Sequence, residues 1–211
     1  MARLPAVLFD LDGTLADSLP LSIAGFQHAA STVAGVTFTD DEVRARFGPS
    51  EEGMFRRAVP DRWEECLAAY LDFYDLHHDD RVQLLPGVAE LLQSLHDDGV
   101  HVGVVTGKGP ESAAITLVRL GLAETITEVR AGRIAGPKKP TDIRSVLAAW
   151  SRSPAEAAYV GDAPGDMRAA LEVGVLPLGA AWEITADEAE LRAAGAVEVF
   201  STPADLEAWL R

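Results

Sequence analysis

The chain has 211 residues, 48% of them apolar, enough to bury a proper core as one large domain or as a main domain with a smaller attachment. Its 33 Asp and Glu against 18 Lys and Arg give a formal net charge of −15, which repels polyanions, so a nucleic-acid surface is excluded and any phosphorylated substrate needs a local cation. No window approaches the roughly 18 continuous apolar residues of a membrane span, and the sequence runs directly into a strand-like pattern without a cleavable leader, so we expect a soluble cytoplasmic protein with no membrane partner.

Short apolar or β-branched runs alternate with helix-period segments, the pattern of a parallel sheet flanked by helices. Strands are predicted at residues 6–10, 101–106, 127–130, 157–161 and 175–178. Between the first two lie residues 11–100, far more than a crossover helix needs. Within that stretch, apolar spacing at Val88, Leu91, Leu92 and Leu95 followed by Gly99 predicts the crossover helix itself. Residues 16–84 carry three or four helical patterns and no strand, and read as a helical insertion. The one cysteine, Cys66, falls on an apolar position of a predicted helix over 62–76 and reads as a buried thiol without a catalytic role.

Four stretches carry chemistry. In "FDLDGT", Asp10 and Asp12 stand two apart where the first strand ends, so an extended backbone points both into the crevice at the carboxyl end of a parallel sheet. Two carboxylates there raise each other's pKa unless a cation lies between them or one holds a proton. An Asx-type turn explains Asp12 and Gly13 but leaves Asp10 unexplained. In "VGVVTGKG", Thr106 and Gly107 end the second strand, suited either to phosphate oxygens or to capping the next helix. "GPKKP" places Lys138 and Lys139 in a rigid turn, as solvated charges or as partners for a carboxylate and a phosphate. In "YVGDAPGDM", Asp162 repeats the Asp10 position on another strand, and Asp166 follows in the first turn of a helix, whose dipole alone would favour it. Carboxylates from two strand ends make a hard oxygen site suited to Mg²⁺.

Taken in order, "DLDGT", "VVT", "KKP" and "GDAPGDM" resemble the four motifs of the haloacid dehalogenase superfamily, in its phosphatase branch. "LPGVAELLQSLHDDGVHVGVVTGK" and "ELRAAGAVEVFSTPADLEAWL" look like the phosphoglycolate-phosphatase-like group, and the insertion resembles that family's small helical C1 cap. The resemblance implies an α/β Rossmann-like core over 1–15 and 85–211 with a helical-bundle cap over 16–84. It implies Asp10 as the nucleophile that forms an aspartyl-phosphate, Asp12 as the acid/base, Thr106 and Gly107 as phosphate-binding, and Lys139 as the lysine paired with Asp10. It further implies Mg²⁺ held by Asp10, the Asp12 carbonyl and Asp162, with Asp166 behind them or acting through water. Lys139-Pro140 is followed by Thr141-Asp142 where the family often has another proline, which keeps Lys138 open as a substitute; a rigid proline fixing the residue before it favours Lys139. A second carboxylate in the first motif also separates phosphoryl transfer from dehalogenation, since a halide needs no proton.

The insertion is expected to set specificity by closing over the crevice. In its "RFGPSEEGMF" turn, Arg46 is placed to reach a substrate carboxylate and Ser50 or Glu51 a hydroxyl or amine, unless this is an ordinary interhelical loop. "HHDD" at 77–80 reads as a solvent-facing helix end and not as a second metal site. The expected activity is Mg²⁺-dependent hydrolysis of a small phosphorylated metabolite, 2-phosphoglycolate by resemblance, by a monomer or homodimer. A phosphomutase of the β-phosphoglucomutase kind and a catalytically silent phosphate-binding protein are the alternatives.

Overall fold

A computed structural model of the protein describes residues 4–136 and 138–211. Six parallel strands form one sheet in the order β3-β2-β1-β4-β5-β6, with helices on both faces: β1 (Ala6–Phe9), β2 (His101–Val105), β3 (Glu128–Arg130), β4 (Ala157–Gly161), β5 (Leu176–Ala180) and β6 (Glu198–Phe200). The AVLF of β1 is buried throughout, as a central strand covered on both faces must be. In register, Phe9 lies between Val104 and Val160. The chain builds outward from β1 through β2 to β3, then returns to the other side of β1 and builds outward again. That reversal opens a crevice at the carboxyl ends of β1, β2 and β4, where open α/β sheets bind ligands.

Five strands match the expected ones to within a residue or two. The sixth, β6, was not foreseen: it has three residues, begins with a charge, and pairs only with β5 at the sheet edge. Its alternation is too short to register as a strand pattern. The crossover helix α5 spans Val88–Asp97 and ends at Gly99 in the left-handed conformation, φ +69°.

Between β1 and α5 lie four helices: α1 (Leu19–Ala34), α2 (Asp40–Arg44), α3 (Glu51–Ala58) and α4 (Trp63–Arg81). The chain leaves and re-enters the sheet layer through paired segments, with Asp17 N–H donating to the Gln83 carbonyl at 3.0 Å and Leu85 N–H to the Leu15 carbonyl at 3.0 Å. Inside the four-helix layer Phe26 stacks on Phe55 with centroids 4.3 Å apart, and Tyr70 meets the Phe55 ring edge-on. These rings belong to the same apolar cluster as Phe9 and Leu11 of the sheet layer. Cys66 is buried there, and so is His78, packed edge-on against Tyr74, contrary to the solvent-facing position expected of it. The reason is its phase on α4: Cys66, Tyr70, Tyr74 and His78 recur every fourth residue along one buried stripe.

The remaining helices are α6 (Pro110–Arg119), α7 (Lys139–Ala149), α8 (Pro164–Val173), α9 (Glu188–Ala193) and α10 (Pro203–Leu210). α4 and α6 are tied by a Tyr74–Thr116 hydroxyl contact of 2.9 Å and by Arg119 against Asp75 and Asp79. Among the described residues no helix is long and apolar enough to cross a membrane.

Phe55→Ala removes a fully buried ring stacked on Phe26. It should lower unfolding stability by about 3–5 kcal/mol, read as a reduced urea midpoint at unchanged m-value.

Candidate active site

Three neighbouring strands deliver the first groups. Asp10 follows β1, Thr106 follows β2 and Asp162 follows β4. Ladder hydrogen bonds continue to the first two, Asp10 N–H to the Val160 carbonyl and Thr106 N–H to the Arg130 carbonyl, both 2.9 Å, so their positions are fixed by the sheet. Immediately afterwards the chain turns: the Leu11 carbonyl accepts from the amides of Thr14, Leu15 and Ala16. Gly13 takes a left-handed φ of +80°, and a Cβ there would come within 2.5 Å of an Asp162 carboxylate oxygen, so both backbone and space demand glycine. Thr14 donates its hydroxyl to Asp162 Oδ1 at 2.7 Å, and Trp182 Nε1 donates to the Thr14 carbonyl at 2.9 Å.

This turn changes the expected relation between the two motif carboxylates. Both line the cleft, but the alternation of an extended backbone stops at Phe9. The Asp12 carboxylate accepts from Lys108 Nζ at 3.1 Å and from the Ser18 hydroxyl, and it is not a member of the carboxylate cluster. That cluster is Asp10, Asp162 and Asp166, whose ligand oxygens lie within 4.8 Å of one another; among the described residues it is the one grouping of three potential metal-ligating side chains.

Lys139, the first residue of α7, reaches into the cluster, donating to Asp10 Oδ2 at 2.7 Å and to Asp166 Oδ1. Lys138 is exposed and does not line the cleft. Asp166 is buried on α8 and also accepts from the Ala163 amide at 3.2 Å. Asp142, after Lys139-Pro140-Thr141, is buried and accepts from the Arg133 guanidinium, which fastens the segment 131–136 to α7.

The electrostatics follow from crowding. Burial raises Asp10 from 3.8 to about 6, with Lys139 opposing and Asp166 and Asp12 adding to the rise. Burial likewise raises Asp162 to about 7, helped by the charges of Asp10 and Asp166. For Lys139, burial works against the charge, but Asp10 and Asp166 outweigh it and hold the ammonium well above the usual lysine range. For Lys108, burial again opposes the charge and Asp12, with Tyr74, Tyr70 and Glu51, outweighs it. Desolvated, mutually repelling oxygen donors of this kind fit a hard divalent cation.

Above these groups lies a cleft of about 790 Å³. Its far wall comes from the four-helix layer and is largely apolar: Leu19, Phe26, Phe47, Pro49 and Met54. The three residues singled out in the 46–55 turn are not used as expected. Arg46 does not line the cleft; its guanidinium donates to the Glu42 carbonyl and lies 4.4 Å from the Phe38 ring centroid. Ser50 is buried outside the lining, and its amide donates to the Arg133 carbonyl at 2.9 Å. Glu51 does line the cleft, but its carboxylate accepts from the Gly109 amide at 2.6 Å, the Ser112 hydroxyl at 2.6 Å and the Tyr70 hydroxyl at 3.1 Å, so it ties α3 to the start of α6. Short-range reading of the turn had no access to these partners, which come from distant parts of the chain.

Sequence reasoning passed over Lys108, Ser18 and Ser22. Lys108 is buried with its Nζ 2.9 Å from the Ser22 hydroxyl of α1 and 4.5 Å from the Tyr74 ring centroid. The available signal was a lysine two residues beyond a strand end, in a chain poor in cations.

Residues 7–180 match the family model described as haloacid dehalogenase-like hydrolase. Similar curated proteins include the pyrophosphatase PpaX of Bacillus velezensis, 31% identical over 184 residues, covering 86% of this chain and 85% of that one. That of Anoxybacillus flavithermus is 30% identical over 188 residues, covering 86% of each. Among solved structures, a predicted phosphoglycolate phosphatase from Haemophilus somnus covers all of both chains at a TM-score of 0.86 and 21% identity. A hydrolase from Pseudomonas syringae covers 97% of each at 0.79 and 26%.

The raised carboxylates fix a pH dependence. Asp10 and Asp162 in the folded protein keep protons up to about 6 and about 7, whereas in the unfolded chain they lose them near 3.8. Across that window the folded state binds more protons, so cation-free protein should lose stability as pH rises from about 4 to about 7 and level off above. A divalent cation should therefore raise Tm more at about pH 8 than at about pH 5. Thermal unfolding in EDTA and in excess Mg²⁺ checks this; an equal increment at both pH values would contradict it.

Proposed function

The chain belongs to the haloacid dehalogenase-like hydrolases, and we propose that within that family it is a Mg²⁺-dependent phosphatase of small phosphorylated metabolites, with residues 16–84 as its cap. The observation that carries this reading is Asp10 at the cleft floor, ion-paired at 2.7 Å with Lys139 and beside Asp162 and Asp166. A binding protein gains nothing from Asp12 as a second, separately held carboxylate; a phosphatase needs both.

Asp10 attacks phosphorus, forming an aspartyl-phosphate as the ester P–O bond breaks. Asp12 gives its proton to the leaving alkoxide, then takes one from the water that hydrolyses the aspartyl-phosphate. Lys139, Thr106 and Gly107 surround the transferring phosphoryl group, whose equatorial oxygens carry the developing charge. Asp10, Asp162 and the Asp12 carbonyl would hold Mg²⁺, with Asp166 supporting Asp162 and Lys139; the cation supplies charge neutralisation at the phosphoryl oxygens. The apolar cap wall excludes water while the ester is cleaved.

Two substrates enter on the names of similar proteins, 2-phosphoglycolate and pyrophosphate. Both are small phosphates that carry a second negative group beyond the scissile phosphoryl group, for which a cleft with few cations must supply a further positive charge.

Phosphate release from a metabolite panel containing both compounds tests the reading. Activity should require Mg²⁺ and fall by more than about 10³-fold in Asp10→Asn. Asp12→Asn should cost about 10²–10⁴-fold in phosphate release from alkyl esters and much less in the first-turnover burst of p-nitrophenol from p-nitrophenyl phosphate, whose leaving group needs no proton. Full activity of Asp10→Asn would exclude Asp10 as nucleophile.

A further inference from the structure

Lys108 is almost fully buried, 1% of its side chain exposed, yet it lines the cleft. It stands where three parts of the molecule meet. Its backbone belongs to the loop after β2, its ammonium holds Asp12 after β1, and its third neighbour is Ser22 on α1 of the four-helix layer. The carbonyl of the same residue accepts from Gly132 N–H at 2.6 Å, so the loop itself is anchored. A buried ammonium without an anionic partner is costly by several kcal/mol. Lys108 therefore needs a carboxylate or its substitute at all times, and in the structure that carboxylate is Asp12.

Among the described residues the other cations lining the cleft are either engaged by carboxylates or exposed to solvent. Lys139 is taken by Asp10 and Asp166, and Arg168 is exposed on α8, where solvent screens its charge. Glu51 near Lys108 has its oxygens engaged by three donors, and the far wall from the four-helix layer is largely apolar. One desolvated positive charge thus faces the space that the leaving half of a substrate must occupy, and it is paired with the residue that must approach the ester oxygen.

We propose that Lys108 is the specificity-determining residue for the leaving fragment, exchanging the Asp12 carboxylate for a second anionic group carried one or two atoms from the scissile oxygen. The proposal rests on the phosphatase reading above. Binding of such a substrate provides Lys108 with a new counter-ion and releases the Asp12 carboxylate, which takes up a proton from solvent and turns to the ester oxygen as the acid that protonates the leaving alkoxide. A substrate with an uncharged tail leaves Lys108 on Asp12, because releasing Asp12 would strand a buried charge. Selectivity and acid/base readiness then have one physical origin. The shared chemistry is an anion on the leaving fragment, either the carboxylate of a phosphorylated hydroxy acid or the second phosphate of pyrophosphate.

The test compares kcat/KM for 2-phosphoglycolate, pyrophosphate and ethyl phosphate in the wild type and in Lys108→Met. The wild type should prefer at least one of the two anionic substrates over ethyl phosphate. Lys108→Met should lower kcat/KM for the preferred substrate by about ten- to a hundredfold more than for ethyl phosphate, the size of a lost charge-assisted contact. For the two alkyl esters any general damage to Asp12 cancels in that ratio, since both leaving alkoxides need the same proton. Preference for 2-phosphoglycolate identifies a carboxylate and preference for pyrophosphate a phosphate. An unchanged ratio in Lys108→Met overturns the proposal, and so does a wild type that hydrolyses ethyl phosphate as efficiently as both anionic substrates, a result needing no variant. Mg²⁺- and Asp10-dependent activity alongside either result would leave the phosphatase reading standing, whereas no phosphate from any compound would remove both.

Discussion

Four carboxylates crowd the carboxyl ends of β1 and β4 in a largely desolvated space, and buried Lys108 and partly buried Lys139 hold three of them there. Lys139 bridges Asp10 and Asp166; Lys108 holds Asp12. Much of the surrounding structure serves to make that arrangement tolerable. The reversal of strand order puts Asp10 and Asp162 on neighbouring strands, and Gly13 lets the chain turn without a side chain striking Asp162. Thr14 gives Asp162 a hydroxyl donor, and the Ala163 amide at the start of α8 donates to Asp166. Even so, Asp10 and Asp162 titrate well above ordinary aspartates, because burial penalises their charge more than the lysines recover.

The sheet was largely legible because its strands are buried on both faces and read as continuous apolar runs ending in chemistry-bearing residues. Asp10, Thr106, Lys139, Asp162 and Asp166 were nameable since each follows a strand or starts a helix, where local pattern and spatial position coincide. Two kinds of feature were not. β6 is short, edge-placed and partly polar, so its strand character comes from pairing with β5 and not from its own composition. Lys108 and Glu51 acquire meaning only through partners far along the chain, Asp12 and Ser22 for one, Gly109, Ser112 and Tyr70 for the other. Asp12 illustrates a third case: its importance was readable, but the direction of its side chain depends on the turn at Leu11, which ends the alternation on which the sequence argument relied.

The four-helix layer is fastened to the sheet layer close to these charges. Glu51 binds the amide of Gly109, next in sequence to Lys108, and the segment 131–136 touches both sides: Gly132 donates to the Lys108 carbonyl, while the Arg133 carbonyl accepts from Ser50. Arg57 of α3 adds a contact to the Ala135 carbonyl at 3.3 Å. The loop carrying Thr106, Gly107 and Lys108 is therefore held from the helical layer as well as from its own strand. Displacement of α3 would disturb that loop, so cleft geometry and helical-layer position cannot vary independently.

Charge balance sets what the cleft can accept. In their usual ionisation states, Asp10, Asp12, Glu51, Asp162 and Asp166 exceed Lys108 and Lys139 by three negative charges, and Arg168 and Glu172, both exposed in the lining, add nothing net. A phosphate dianion entering that field would be repelled at close range and low dielectric. A divalent cation among Asp10, Asp162 and Asp166 would offset the two charges by which these carboxylates exceed Lys139 and would make room for one phosphoryl group. It does nothing for a second anion on the same ligand, which would lie toward Asp12 and away from the cluster. On the proposed role of Lys108, the balance there would be met by moving Asp12, and Lys108 is the group whose charge that movement would expose.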